Sequence, residues 1–328
     1  MNFRIDVNHN KEIKILQLTD MQIIDATQQR YEGRLTPSAI AKWIPEKNEE
    51  NVYSHIRYLI QETNPDLIII TGDITYGEFD DSGRMQLEFI DFMDSFKIPW
   101  APIYGNHDNE TYKGIEWQCE QYTNAKYCLF ERGEVFGNGN YSIGIYQDNE
   151  LKKVLYMMDS NGCRQRDVEP GFREDQLEWL RGQAEKIRQN SPQVTAFAAF
   201  HIPTIDFSDA LIAAGYQKDY DAWEGDFEKY EIGKDIPAKN GDFGKKWERL
   251  KHVYKKSLHS LFKECGIDGV FTGHLHRDNF SVLHDGIRYT FGLKTGVFDY
   301  RDEESLGGTL ITVQKECFEV KHIYYRVI

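Results

Sequence analysis

Five short polar motifs, spread along most of the chain, contain residue types that bind metal ions. Each follows an apolar run of strand length, at residues 13–18, 67–70, 100–104, 194–200 and 269–271. The motifs are Asp20-Met21-Gln22, Gly72-Asp73, Gly105-Asn106-His107-Asp108, His201 and Gly273-His274-Leu275-His276. Short, nearly continuous apolar runs are typical of strands covered on both faces. Because open α/β sheets bind ligands beyond the carboxyl ends of their strands, we expect the motifs to meet at one site.

The candidate ligands offer oxygen atoms and imidazole nitrogens but no thiolate. They are Asp20, Asp73, Asn106, His201, His274 and His276. This donor mixture suits two divalent ions drawn from Mn²⁺, Fe, Zn²⁺ or Mg²⁺. The set is too large for one tetrahedral ion, whereas two ions that share Asp73 as a bridging carboxylate would use every ligand. Any one of these residues alone has a plainer explanation, such as a helix cap for Asp20, so the prediction depends on the whole set.

Paired divalent ions about 3.5–4 Å apart stabilise the attacking and leaving oxygens of a phosphoryl transfer. The predicted nucleophile is a hydroxide that bridges the two ions. His107 is the predicted leaving-group acid, a role that contributes roughly 10²–10⁴-fold, and Asp108 is expected to orient it. Asn106 and His107 are also predicted to contact the substrate. The alternative for His107 is a further metal ligand.

Composition and charge exclude several classes of protein. The 328 residues have a net charge of −14, and 40% of them are hydrophobic, which suffices for a large core. A strongly acidic surface makes nucleic acid an unlikely partner. The five cysteines show no Cys-x-x-Cys spacing, so free thiols are expected. The chain contains no run of about 18 apolar residues, so no membrane span is predicted. The first residues do not resemble a signal peptide, and we therefore expect a cytoplasmic protein.

The remaining pattern predicts a mixed α/β architecture in a single domain over residues 1–328. Helical periodicity occurs at residues 46–63, 86–96, 174–187 and 251–264. A strand pair is expected at residues 140–146 and 153–158, and a C-terminal meander at residues 279–283, 287–292, 308–313 and 317–325. Two sheets packed face to face, with helices outside, would accommodate these elements.

Residues 205–250 form an aromatic and acidic stretch directly after His201. Its aromatic residues are Tyr216, Tyr220, Trp223, Phe227, Tyr230, Phe243 and Trp247. Long segments of this kind are either surface excursions or functional loops. The stretch is therefore predicted to be an insertion that has its own small cluster or that forms a lid over the site.

At these motifs the chain resembles the calcineurin-like metallophosphoesterase superfamily, from residue 13 to about residue 300. Met158-Asp159-Ser160 and Gly292-Leu293-Lys294-Thr295-Gly296 are similar to its purple-acid-phosphatase-like branch. The resemblance implies an α/β/β/α four-layer sandwich of two mixed sheets, with a dinuclear metal centre at the carboxyl ends of the strands. It implies that the first ion is bound by Asp20 and His276, that Asp73 bridges, that His107 is the acid, and that the second ion is bound by Asn106, His201 and His274.

Gln22 departs from the family pattern. The first motif of the family usually places a histidine where this chain has Gln22, which offers only a neutral amide oxygen. Gln22 is predicted either to bind the first ion through that oxygen or to hydrogen-bond a water on the ion. A direct amide ligand would favour harder ions at this position.

Three functions remain open from the sequence. The leading one is a metal-dependent phosphoesterase that acts on a phosphate ester of a small molecule, nucleotide or phosphopeptide, with monoesters favoured. The second is a phosphodiesterase acting on a cyclic or other nucleotide at the same site. The third is a catalytically weak, metal-binding scaffold, which only Gln22 favours. The oligomeric state is not predicted.

Overall fold

Two large β-sheets that pack face to face form the centre of the protein. The computed structural model describes residues 1–8, 10–27, 48–163, 168–214, 254–299, 301, 303–314 and 317–325, together with residues 37 and 40. Side chains from the inner faces of both sheets meet in one core. For example, the rings of Phe197 and Phe318 come from different sheets, and their centroids lie 4.7 Å apart.

The larger sheet has seven strands in the order β1-β5-β6-β9-β10-β12-β11. Its strands are β1 (Phe3–Val7), β5 (Tyr141–Gln147), β6 (Glu150–Met157), β9 (Ala196–Ala199), β10 (Ile267–Thr272), β11 (Ser281–His284) and β12 (Ile287–Phe291). Strands β6, β9, β10 and β12 run parallel to one another. The carboxyl ends of β9 and β10 therefore lie side by side at one edge.

The smaller sheet has five strands in the order β14-β13-β2-β3-β4. Its strands are β2 (Ile13–Leu18), β3 (Leu67–Ile70), β4 (Trp100–Pro102), β13 (Gly307–Val313) and β14 (Phe318–Tyr324). The parallel strands β2, β3 and β4 are neighbours, so their carboxyl ends also lie together. All four residues of β3 are buried, which fits its continuous Leu-Ile-Ile-Ile sequence. A small hairpin pairs β7 (Asn161–Cys163) with β8 (Val168–Pro170).

Six helices are found in the described part of the chain. They are α1 (Asn48–Thr63), α2 (Arg84–Ser95), α3 (Ile115–Asn124), α4 (Glu174–Asn190), α5 (Asp206–Ala213) and α6 (His259–Glu264). Helix α1 packs on β2 and β13, whereas α5 and α6 pack on β11 and β10. The predicted layered arrangement of two mixed sheets with flanking helices is confirmed. Within the described ranges, no helix has the length and apolar character needed to cross a bilayer.

The helix predicted at residues 251–264 is shorter in the structure and begins at His259. The backbone of Tyr254 instead bonds with the segment after His201: its N–H donates to Pro203, and its carbonyl accepts from Ile205. This bridge keeps the chain extended, and the Asp206 carboxylate then accepts the backbone N–H of Leu258 at 2.8 Å. Residues 251–253 lie outside the described ranges, as do residues 215–250 of the predicted lid.

The prediction of one C-terminal meander is wrong, because the four strands belong to two sheets. Strands β11 and β12 pair in the seven-stranded sheet, whereas β13 and β14 pair in the five-stranded sheet. The intervening segment contacts both, since the N–H of Gly292 donates to Thr272 and the N–H of Gly307 donates to Lys294. Alternating patterns predict strands, but they do not specify which sheet a hairpin joins.

Candidate metal centre

The polar motifs that follow strands of the two sheets lie together at one site. Asp20, Asp73 and Asn106 follow β2, β3 and β4 of the five-stranded sheet. The histidines His201, His274 and His276 follow β9 and β10 of the seven-stranded sheet. Oxygen ligands thus come from one sheet and nitrogen ligands from the other.

Two groups of three side chains have their ligand atoms within 4.8 Å of one another. One group is Asp73, His201 and His274, and the other is Asp20, Asp73 and His276. Asp73 belongs to both groups, as a bridging carboxylate would. Asn106 lies next to the first group, because its Oδ1 is 3.2 Å from Nε2 of His201. The structure therefore brings six predicted ligands together.

His201 is held in an orientation that suits metal binding. Its Nδ1 donates a hydrogen bond to the carbonyl oxygen of Thr71 at 2.7 Å. Its Nε2 then points at Oδ2 of Asp73, 3.2 Å away. Metal-binding histidines commonly have their second nitrogen fixed in this way. A side chain at position 72 would fill this space, since a Cβ there would lie 2.7 Å from Nδ1 of His201.

The backbone at the site adopts a conformation that L-residues rarely take. Asp20, Gln22, Asp73 and His274 have φ angles of 53°, 48°, 52° and 75°. Left-handed conformations of non-glycine residues are costly and concentrate at functional sites. Gly105 contributes a close approach, because a Cβ there would lie 2.1 Å from Oδ1 of Asp73. The sharp turns aim neighbouring side chains at one point.

The carboxylates at the site remain ionised although they are buried. Burial alone would raise the pKa of Asp20, but the adjacent His276 and His201 imidazoles lower it to about 2. The pKa of Asp73 is also held well below its ordinary value, since His201 and His107 outweigh the effect of burial. Burial lowers the pKa of His201, but the charge of Asp73 raises it to about 9. A cation at Nε2 would replace that proton, so metal binding should release protons.

The donor set fits a pair of divalent ions. Asp73, Asn106, His201 and His274 would hold one ion, and Asp20, Asp73 and His276 would hold the other. Burial and the neighbouring His201 lower the pKa of His274 to about 3, so its imidazole is neutral and able to bind a metal. Two anionic carboxylates beside neutral imidazoles match the preferences of borderline and hard cations.

His107 lies beside the ligand groups. Its backbone N–H donates to Oδ1 of Asp73 at 2.9 Å, and its ring packs against Tyr76 with centroids 4.0 Å apart. Its Nδ1 is 2.8 Å from the carboxylate of Glu110, which is 6% exposed. Burial lowers the pKa of His107, but the charges of Asp73 and Glu110 raise it to about 9. The imidazole is thus held and charged, as a proton donor requires.

The orienting contact predicted for Asp108 is instead made by Glu110. The Asp108 carboxylate accepts the backbone N–H groups of Ile74, Thr75 and Gly105, at 3.0, 3.1 and 2.8 Å. Asp108 therefore fixes the loops after β3 and β4 and does not contact the ring of His107. Glu110 lies one 3₁₀ turn after His107, and this i, i+3 spacing was the available signal.

Gln22 is buried at the site and engages two charged neighbours. Its Oε1 accepts from Nζ of Lys294 at 2.9 Å, and its Nε2 donates to Oδ2 of Asp73 at 3.2 Å. Lys294 follows β12 and is fully buried. Burial lowers its pKa to about 8, which leaves the ammonium charged at neutral pH. The sequence pattern assigned no role to Lys294, although it lies in a glycine-flanked motif beyond a strand.

A cavity of about 490 Å³ borders the motif at Asn109, two residues from His107. Its lining includes the charged residue Arg132, the aromatic ring of Phe136 and the carboxylate of Asp159. Asp159 accepts the backbone N–H groups of Asn138 and Asn161, both at 2.7 Å. The cavity is therefore a polar and aromatic space whose glycine-rich wall is fixed by Asp159.

The fold and the site together define a class of metal-dependent phosphoesterases. The family model of the calcineurin-like phosphoesterases matches residues 13–278, and the chain belongs to this family. The resemblance drawn from the five motifs is thereby confirmed. Members of this family bind a dinuclear metal centre and act on phosphate esters.

Particular relatives differ in what their names say about activity. The chain is 26% identical over 318 residues to probable inactive purple acid phosphatase 29 of Arabidopsis thaliana, covering 89% of this chain and 73% of that protein. It is 25% identical over 181 residues to phosphatase DCR2 of Saccharomyces cerevisiae, covering 49% of this chain and 30% of that protein. The chain spans only 30–46% of the length of the first three curated relatives it matches.

A solved structure supports the fold independently of sequence. A dimetal phosphatase from Danio rerio superposes with a TM-score of 0.59, covering 95% of this chain and 96% of that one. The two sequences are only 11% identical. The likeness therefore shows the shared architecture of two sheets and flanking helices.

Proposed function

We propose that this chain is a metal-dependent phosphoesterase that hydrolyses phosphate monoesters. One observation supports this most strongly: two ligand groups share Asp73, and the same carboxylate accepts the N–H of His107. A proton donor is thus fixed to the residue that would join the two ions. Two bound divalent ions would supply charge neutralisation for the phosphoryl oxygens and lower the pKa of an attacking water.

Residues of the chain then contact the substrate, donate the proton and orient the proton donor. Asn106 and the His107 imidazole face the position of the phosphoryl group and contact the substrate. The imidazole donates its proton to the leaving oxygen, so that an alcohol departs and not an alkoxide. Glu110 keeps the ring oriented through its 2.8 Å contact with Nδ1 and stabilises the charged form. Tyr76 packs against the ring, with centroids 4.0 Å apart.

A small or medium-sized organic substrate fits this surface best. The net charge of −14 repels polyanions such as nucleic acid. The cavity at Asn109 offers polar groups and the Phe136 ring close to His107 along the chain. We propose that the alcohol part of the substrate enters this cavity. A phosphodiester of a nucleotide is the alternative that uses the same ligands.

A catalytically weak, metal-binding protein is the second candidate. Gln22 favours it, because this side chain is engaged by Lys294 and Asp73. A protein of this kind would bind metal with the same ligands but turn over slowly. His107 and Glu110 argue for catalysis, since a scaffold has no use for an oriented proton donor.

The test is hydrolysis of a matched chromogenic monoester and diester by chelator-treated protein, with Mn²⁺, Fe²⁺, Zn²⁺ or Mg²⁺ added back singly. We expect metal-restored activity with the monoester favoured. A higher rate on the diester would show that the chain prefers diesters to monoesters. Stoichiometric metal binding without hydrolysis of either ester would favour the scaffold.

A further inference from the structure

We infer that the cavity at Asn109 is a binding site for a polyhydroxylated group such as a sugar ring. As the place that receives the alcohol part of a substrate, this site rests on the proposed function and narrows it to phosphate esters of polyhydroxy alcohols. As a binding site for a phosphate-free polyol, it is testable without hydrolysis. The site and the proposed function can therefore fail separately.

One wall of the cavity presents two buried acceptor groups, Asp159 and Asn161, which are 1% and 4% exposed. The amide nitrogen of Asn161 donates to the carbonyl oxygen of Gly171 at 2.9 Å and to Oε1 of Gln176 at 3.0 Å. These two bonds fix the orientation of the amide. Among the described residues, its Oδ1 has no hydrogen-bond partner, so this oxygen is available to accept from a ligand.

Gly137 keeps the space beside these acceptors free. Its φ angle is 93°, a backbone conformation that glycine adopts without steric cost. A Cβ at this position would lie 3.0 Å from Oδ2 of Asp159 and 3.1 Å from Oδ1 of Asn161. Both oxygens are therefore close to the same point of the wall, within reach of neighbouring hydroxyls of one ligand.

Donor groups come from Asn138 and Arg132, which also line the cavity. Oδ1 of Asn138 accepts from Nε of Arg132 at 3.0 Å, and this bond identifies the other amide atom as the nitrogen. In the part of the chain that the structure describes, this nitrogen has no hydrogen-bond partner. The Arg132 side chain is 49% exposed, 3.5 Å from Glu116, and its guanidinium keeps further N–H groups for a ligand.

This combination of groups fits hydroxyls best. A hydroxyl both donates and accepts, so a polyol satisfies Oδ1 of Asn161 and the amide nitrogen of Asn138 together. An anion offers only acceptors, and an ammonium group offers only donors. The ring of Phe136 is 45% exposed and adds an apolar surface for the CH groups of a sugar ring. The volume of about 490 Å³ lies within the range of small-molecule sites.

The wall is also fixed in place by buried side chains. Nε2 of Gln176 donates to Oδ1 of Asn140 at 2.9 Å and to the carbonyl oxygen of Asp159 at 2.8 Å. Asn140 in turn donates through Nδ2 to the carbonyl oxygen of Phe136 at 3.0 Å. Since these groups are already ordered, a ligand binds with a smaller loss of conformational entropy.

Two hydrogen bonds join the cavity to segments of the candidate metal centre. Nδ2 of Asn109 donates to the carbonyl oxygen of Gly105, in the loop after β4, at 3.1 Å. Oγ of Ser160, which lies between the two acceptor residues, accepts the backbone N–H of Ile202 at 2.8 Å. Ile202 directly follows the candidate ligand His201. The wall of the cavity is thus held against the loops that carry ligands.

The experiment is an NMR titration of the full chain with methyl glucoside and, separately, with cyclohexylmethanol, which has a six-membered ring but a single hydroxyl. We expect methyl glucoside to bind about 10-fold more tightly or better, because it makes additional hydrogen bonds to the donors and acceptors of the cavity. Equal affinities for the two alcohols, or no binding of methyl glucoside, would overturn the inference.

Arg132→Gln and Phe136→Ala place the binding in this cavity, and each should weaken the affinity for methyl glucoside by about 3–10-fold. Both side chains are about half exposed, so both variants should fold. Arg181→Gln and Tyr58→Ala are the matched controls and should bind like the unmodified chain. Arg181 is 42% exposed and 3.5 Å from Glu174, Tyr58 is 44% exposed, and neither of these described residues lines the cavity. Unchanged binding in both cavity variants would contradict the assignment.

Glucose 6-phosphate and cyclohexylmethyl phosphate then test the use of the site in catalysis, since both are monoesters of a primary alcohol on a six-membered ring. We expect kcat/KM to be about 10-fold higher or more for glucose 6-phosphate. Equal values would overturn the role of the cavity in substrate selection. Binding of methyl glucoside without hydrolysis of any monoester would instead overturn the proposed function and support the polyol site.

Discussion

The two sheets contribute different chemistry to the same centre. The five-stranded sheet supplies the carboxylates and amides, Asp20, Gln22, Asp73 and Asn106, whereas the seven-stranded sheet supplies the imidazoles. Neither sheet alone provides a complete ligand set, so the centre forms only where the sheets pack together. The buried Gln17 joins them just beneath the site, since its Nε2 donates to Thr71 and, across the sheets, to the carbonyl of Thr272.

The imidazoles and the carboxylates are held by different kinds of contact, and this indicates which substitutions can change metal selectivity. The imidazole of His201 is fixed by a backbone carbonyl, which a side-chain substitution does not remove. The carboxylate side also depends on side-chain neighbours, namely Lys294 and Gln22. We therefore expect substitutions of these neighbours, with the ligands themselves kept, to alter metal preference.

The largest expected effect is at the one residue that both ligand groups share. Asp73→Asn removes the bridging charge, so both ions should be lost and hydrolysis should fall to the uncatalysed background. Metal analysis and the monoester assay check this. Asp268→Asn is the control, because Asp268 pairs with Lys153 away from the ligands. Retention of two ions per chain in Asp73→Asn would contradict the shared role.

His107→Ala should separate catalysis from metal binding. Turnover should fall by about 10²–10⁴-fold, the usual contribution of a general acid, while the metal content stays unchanged. Glu110→Gln should give a smaller loss and move the alkaline limb of the pH–rate profile to lower pH, since Glu110 stabilises the charged imidazole. Loss of metal in His107→Ala would instead make His107 a ligand, which was the alternative from the sequence.

Gln17→Leu should remove the side-chain hydrogen bonds that connect the two sheets, without changing a metal ligand. Metal affinity should fall by about 10-fold, in the range seen when groups that support ligands are removed. The far-UV spectrum should not change. Gln314→Leu is the control, because the side chain of Gln314 bonds with Glu12 and Cys317 at the surface. Unchanged metal affinity in Gln17→Leu would show that sheet packing alone aligns the site.

The smallest expected effect concerns the five-stranded sheet outside the site. His322 on β14 is 4% exposed, and burial lowers its pKa from 6.5 to about 4. The unfolded chain therefore binds this proton more readily, so stability is present above pH 6.5 and falls as the pH drops towards 4. Between pH 7 and 5 the loss should be about 2 kcal/mol. In denaturant titrations of metal-free protein, His322→Gln should show a flatter pH dependence, and an unaltered slope would contradict this assignment.

The sequence was most informative where apolar runs ended in polar motifs. Strands β2, β3, β4, β9 and β10 lie where the runs predicted them, because each is short, apolar and covered on both faces. The helices α1, α2 and α4 were also predicted, since their apolar faces repeat with helical period. Strand β1 and helices α3 and α5 were missed, as their patterns are short or interrupted.

The finer features of the site depend on contacts that a sequence does not reveal. Lys294 lies 272 residues from Gln22, and only the packing of the two sheets brings them together. Asp108 and Glu110 are both near His107 along the chain, and the 3₁₀ turn decides which carboxylate reaches the ring. Sheet membership of the C-terminal hairpins was unpredictable for the same reason, since hydrophobic alternation is identical in either sheet.

The most direct test is a titration of metal-free protein with Mn²⁺ in which bound metal and monoester hydrolysis are recorded in the same sample. We predict no hydrolysis without metal, little with the first ion bound and a steep rise as the second ion binds. Hydrolysis by the metal-free chain, or full occupancy of both positions with no hydrolysis of monoester or diester, would contradict the proposal.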